Sequence, residues 1–228
     1  MRIKFIVFVI LALAGTAAAQ EPWSQRPDER QEAVLNEDGG QAFVVRPGAG
    51  TLSGIMKPGG PVVADLQQYS IFLGSRWADP AVRSREARLS KLLVTIQDHA
   101  QMDEVTQAGI KNRFGATFSL EKLDVTGERN ISDLEIQGLL AGMLDDGSLS
   151  LPGDDTIYFV FLDPALHSTL GSLQADKHYP AYHGFFNVPG ARIHYAVVPY
   201  QADSKAQYQI SLRTLIVSAL HSAEVGSN

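Results

Sequence analysis

The chain has 228 residues, 45% of them hydrophobic, a formal net charge of −6 and no cysteine. That length and apolar content suit one domain with a substantial core. The acidic balance argues against nucleic acid or anionic lipid as the main partner, and the missing thiol excludes disulfides, Cys-ligated metals and a cysteine nucleophile.

Arg2 and Lys4 precede an apolar run from Phe5 to Ala14, and Gly15-Thr16-Ala17-Ala18-Ala19 supplies small residues for cleavage. Residues 1–19 therefore read as a signal peptide, and the mature protein as secreted, periplasmic or extracellular. The run is shorter than the roughly 20 apolar residues a span requires, so no transmembrane segment is expected after cleavage. Losing Arg2 and Lys4 takes the formal charge from −6 to −8. Residues 20–58, polar and then rich in Gly and Pro, read as a flexible leader before an α/β domain over 59–228. Gly48-Ala49-Gly50-Thr51-Leu52-Ser53-Gly54 is one residue too long for a dinucleotide fingerprint and lacks a following helical pattern, which leaves a turn.

Order is expected from Gly60-Pro61-Val62-Val63, with a strand over 68–74. Asp79-Pro80 opens a helix whose Leu89, Leu92, Leu93 and Ile96 form one apolar stripe, leaving Arg83, Arg85, Glu86 and Lys91 to solvent. A second short helix is expected over 102–110. Residues 114–125 read as extended, with Phe118, Leu120 and Val125 inward. Ser132-Asp133-Leu134-Glu135 is a capping box, followed by the apolar face Ile136, Leu139, Leu140, Met143 and Leu144 and the stop Asp145-Asp146-Gly147. The paired aspartates 145–146 and 154–155 are acid/base or calcium candidates, and also ordinary turn formers.

Thr156-Ile157-Tyr158-Phe159-Val160-Phe161-Leu162 is a continuous apolar run closed by Asp163-Pro164, the signature of a central strand covered on both faces. A second such strand spans 192–199. The segment 176–186 between them is read as a loop crowded with titratable and aromatic residues. Ser204 is the expected cap of a last helix carrying Leu212, Leu215, Ile216, Ala219 and Leu220. The sum is a single α/β domain, amphipathic helices sandwiching a mostly parallel or mixed sheet.

Gly-x-Ser-x-Gly, Walker and His-Glu-x-x-His motifs are all missing from the sequence. Histidine remains. His178, Tyr179, Tyr182 and His183 are the candidate ligand-binding residues, with Phe185 and Phe186 as groove-lining aromatics or simply core. The other arrangement the residues allow is a metal site from His183, His194, His221 and Glu224. Imidazoles and a carboxylate suit zinc, which holds about three protein ligands and a water in hydrolytic sites. His178 is a further candidate ligand, and each histidine also has an ordinary structural reading.

Gly59-Gly60-Pro61-Val62, Phe72-Leu73-Gly74-Ser75-Arg76-Trp77, Ile131-Ser132-Asp133-Leu134-Glu135-Ile136, the 157–162 strand, Tyr182-His183-Gly184 and Tyr195-Ala196-Val197-Val198 resemble, in that order, the EXORDIUM or phosphate-induced protein 1-like family. The likeness spans Gly59 to the C-terminus and implies a secreted protein without an agreed enzymatic activity. Family members carry cysteines near Tyr-His-Gly and an adjacent His-Glu pair in a late helix. Here Pro180-Ala181 stand where Cys-Gly is expected, His221 and Glu224 are separated, and only His183 carries over. The resemblance is thus to a divergent, cysteine-free, bacterial-type member. The expected function is non-catalytic binding or structural work at the cell envelope, with an envelope glycan or protein as partner. The alternative is a zinc-dependent hydrolase or its degenerate, inactive homologue.

Overall fold

The computed structural model describes residues 33–35, 41–45, 65–95, 111–120, 128–150, 152–153 and 155–225; within these, the side chains of 33–35, 65, 111–115, 119–120, 216 and 219–225 lie outside the description. The expectations for residues 1–32, 60–63 and 102–110 and for Ile96 and Val125 fall outside the described residues.

The chain folds as an α/β domain. A seven-stranded mixed sheet runs in the order β1 (Ala33–Leu35), β2 (Gln41–Val45), β9 (Ala181–Val188), β10 (Ala191–Val198), β6 (Thr156–Leu162), β3 (Asp65–Leu73) and β4 (Lys111–Leu120). The four strands β10, β6, β3 and β4 are mutually parallel, whereas β9, β2 and β1 join antiparallel. A second, three-stranded sheet holds β5 (Arg129–Ser132), β7 (Leu166–Leu170) and β8 (Leu173–Gln174). No helix among the described residues is long and apolar enough to cross a membrane.

β6 sits inside the sheet because all seven of its residues are buried. Alternation divides them: Ile157, Phe159 and Phe161 point into one layer, Tyr158, Val160 and Leu162 into the other. The first layer is closed by α1 (Pro80–Thr95), through Val82, Leu89, Leu92 and Leu93, and by α3 (Ser204–Val225), through Ile210, Leu212 and Leu215. The second is closed by α2 (Asp133–Asp145), through Ile136, Leu140, Met143 and Leu144, and by the small sheet's Ile131, Leu166 and Leu170. This is the expected sandwich.

α2 begins at the expected capping box. Ser132 Oγ accepts from the Glu135 amide at 3.2 Å, and Glu135 Oε2 accepts from the Ser132 amide at 3.0 Å. That amide, acting against the smaller penalty of burial and helped by Ser132 Oγ and by contact with Arg129, holds the Glu135 carboxyl below the ordinary glutamate range. A lowered folded-state pKa adds stability that is complete above the unfolded value and is lost as pH falls through the folded one. Denaturant midpoints measured between about pH 3 and 6 should therefore fall less steeply toward acid in Glu135→Gln, which keeps the cap but cannot titrate. Parallel acid limbs would refute that assignment.

Three local expectations are corrected. The leader is not wholly outside the fold: β1 and β2 lie within residues 20–58, and Ala42, Val44 and Val45 are buried against β9. The strand expected over 114–125 is β4 (Lys111–Leu120), which begins three residues earlier; 121–125 lie outside the described residues. Asp203, not Ser204, caps α3: its Oδ1 accepts from the Lys205 amide at 2.9 Å and its carbonyl from the Gln207 amide at 3.0 Å. Asp and Ser cap about equally well, so the residue whose carboxylate reaches the second amide wins. Inside α3, Ser211, Thr214 and Ser218 are buried because each hydroxyl donates to the carbonyl four residues back, at 2.7, 2.7 and 2.6 Å.

Candidate functional site

The segment 176–186 is mostly strand. Only 176–178 form a turn, with Asp176 in the left-handed region at φ 65°. The turn binds itself: His178 Nδ1 accepts from the Gln174 amide at 3.0 Å, and Lys177 Nζ donates to Gln174 Oε1 at 2.8 Å. From Ala181 the chain is β9, buried as far as Phe186. Tyr and Phe favour a pleated, covered surface, and a buried strand tolerates His and Tyr where their polar atoms find partners.

Alternation along β9 separates the expected ligand residues. Tyr182 points into the α2 layer, edge-on to Tyr179 at 5.5 Å and Tyr195 at 6.3 Å. His183 points to the opposite face and stacks on Phe43 of β2 at 5.4 Å. Tyr179 is fully buried, its hydroxyl donating to the Ser168 carbonyl at 2.9 Å and lying 3.0 Å from Ser168 Oγ. His178, Tyr179, Tyr182 and His183 thus do not line one surface.

The structure does bring His183 and His194 together. His183 pairs with Ala196 and His194 with Phe185, so the two histidines are diagonal neighbours on one face of adjacent strands. Both are buried, and the His194 ring lies 6.0 Å from that of Phe185. α3 packs across β2, β9 and β10 on this same face. His221 and Glu224 lie on its last turns, and their side chains are outside the described residues. Two imidazoles fall short of the three protein ligands that a catalytic zinc takes. Among the described residues no group of three or more His, Asp or Glu could hold a metal. The described donor set therefore does not fit zinc by itself.

A cluster that sequence reasoning missed lies on the other face. Asp133, at the first turn of α2, is buried; its Oδ1 accepts from Tyr195 Oη at 2.6 Å and its Oδ2 from Gln137 Nε2 at 2.7 Å. Gln137 Nε2 also lies 3.0 Å from Tyr195 Oη. The Tyr182 hydroxyl is buried near this carboxylate without a hydrogen bond of normal geometry. Burial, and then the Asp133 charge, push its phenol well above the usual tyrosine range, so it stays protonated. The α2 N-terminus favours an anion at Asp133. The only local signal was Asp133 and Gln137 at i, i+4 on the face that carries Ile136 and Leu140.

A second buried carboxylate marks the ends of the parallel strands. Asp163 follows β6; its Oδ2 accepts from the Arg76 amide at 2.8 Å and its Oδ1 from the Ala165 amide at 2.8 Å. β3 continues through α1 to β4 on one side, and the chain returns to β6 on the other, so this is the sheet's switch point, where α/β ligands commonly bind. Here Asp163 itself fills the space beside Gly74, ties down the 3-10 turn Ser75–Ala78, and holds the corner closed. Elsewhere, a small apolar gap, no larger than a water, lies between α2 and strands β3 and β6, lined by Ile71, Leu73, Ile136, Leu140, Met143 and Val160. On the small sheet His167 lies 3.8 Å from Glu128 and 3.9 Å from Asp176.

No protein-family model, no curated protein and no solved structure matches this chain.

Proposed function

We propose that this chain is a secreted cell-envelope domain of EXORDIUM-like type that works as a rigid binding or structural module. One observation carries this reading: the side chains best equipped for chemistry are employed in holding the fold. Asp163 fastens two backbone amides, Asp133 organises Tyr195 and Gln137, Tyr179 is tied to Ser168, and His183 is stacked against Phe43. The export-type N-terminus and the ordered family-like motifs support the envelope address. Tyr179 and Tyr182 are fully buried, so any recognition by the 176–186 segment would fall to its turn, the exposed Asp176 and Lys177 and the half-buried His178.

The second reading, a metal-dependent hydrolase or its inactive descendant, is favoured by the shared face of His183 and His194 beneath α3. Metal content of the purified protein, made without a histidine tag, separates the two. The binding-module reading expects no stoichiometric metal and no thermal stabilisation by added zinc. About one zinc per chain, lost in both His183→Ala and His194→Ala, would overturn it in favour of the hydrolase.

A further inference from the structure

α1 sets a positive surface on an acidic protein. It carries Arg83, Arg85, Arg88 and Lys91 against a single acid, Glu86, whereas α2 on the opposite layer carries Asp133, Glu135 and Asp145 and no cation. Arg85 is turned inward, donating to the Gln201 and Ala202 carbonyls and lying 4.4 Å over the Tyr200 ring. Glu86 is half-buried. Arg83, Arg88 and Lys91 are exposed, and among the described residues none of them is ion-paired. They span about 12 Å along the helix axis. Three exposed cations on one helix, against the single half-buried acid Glu86, make a local surface complementary to anions on a chain that is acidic overall.

We infer that this face of α1 docks an acidic polysaccharide, its repeating carboxylates meeting Arg83, Arg88 and Lys91. The inference rests on the binding-module reading and names its ligand class. Arg presents a planar fork that fits carboxylate, and Lys adds a point charge. A membrane is a poorer fit, because Val82, Leu89, Leu92 and Leu93 are committed to the core, which leaves Val94 as the large apolar side chain facing out. Nucleic acid is poorer still, because aromatic side chains for base stacking are missing from α1.

The test is binding of the purified protein to polygalacturonate, with dextran as the neutral polymer, phosphatidylglycerol vesicles as the membrane, and isolated envelope material as the natural surface. The proteins compared are wild type, Arg83→Gln/Arg88→Gln/Lys91→Gln, and Lys177→Gln as a control from the opposite layer, all checked for unchanged thermal unfolding. Polygalacturonate binding should fall about tenfold or more in the triple variant and on raising salt from about 50 to 300 mM, with Lys177→Gln unchanged. Equal binding by the triple variant, equal binding to dextran, or stronger binding to vesicles would overturn the inference. If the triple variant still binds envelope material like wild type, the binding module stands and this face is not its site. If wild type binds neither polymer nor envelope, both readings fall.

Discussion

Gly74→Ala is expected to destabilise the protein by about 4 kcal/mol or more, enough to remove most soluble product. Two independent costs combine. Gly74 has φ 116° and ψ 149°, a conformation essentially confined to glycine, which strains any other residue by about 1–3 kcal/mol. In addition, a Cβ built there would lie 2.2 Å from Asp163 Oδ2 and 2.4 Å from its Cγ. Asp163 cannot yield cheaply, because it is fully buried and both oxygens hold backbone amides. Displacing it frees two buried donors, at about 1–3 kcal/mol each. Asp163→Ala forfeits the same hydrogen bonds but clears the space, so the double variant should be markedly more stable than the sum of the singles implies. Denaturant unfolding of the four proteins measures this. Strict additivity would mean that the two residues do not share the corner as described.

Asp133→Ala should cost about 2–4 kcal/mol, although it removes a carboxylate whose burial is itself costly. The substitution leaves the Tyr195 hydroxyl and Gln137 Nε2 without their carboxylate acceptors, beside a Tyr182 hydroxyl that already has no normal partner. Relief of the carboxylate's own desolvation offsets part of this, which keeps the estimate below the sum of the broken bonds. Asp133→Asn retains one oxygen for Tyr195 and should recover part of the loss. Tyr195→Phe combined with Asp133→Ala should cost less than the two singles added. Unfolding free energies decide it. An Asp133→Ala protein as stable as wild type would show that the cluster contributes nothing to the fold.

Elements whose signal is local were legible. β6 could be read from six consecutive apolar residues after Thr156, between turn formers, α2 from its capping box, and α1 from the spacing of Leu89, Leu92 and Leu93. Elements defined by distant partners were not. β2 is five residues long among glycines and prolines, and it becomes a strand by pairing with β9. β9 resembled a loop because His, Tyr and the preceding Pro180 suggest exposure, while its burial depends on both sheet faces being covered. The Asp133 cluster joins α2 to β10 across 62 positions, and no local pattern announces that contact. The pairing of His183 with His194 likewise needed the β9–β10 register before their common face could be known.

The place of β2 also bears on how the molecule assembles. Ala42 is paired with Gly184, about 140 residues further along the chain. β3, α1 and β4 can close early over a short separation, but the sheet cannot extend to β2 until β9 and β10 have formed their hairpin. Bringing such distant segments together carries the loop-closure entropy that slows folding in non-local topologies. The N-terminal strands are therefore expected to dock late, and until they do the outer edge of β9 is an open template for another chain. Folding yield should accordingly depend on how long that edge waits.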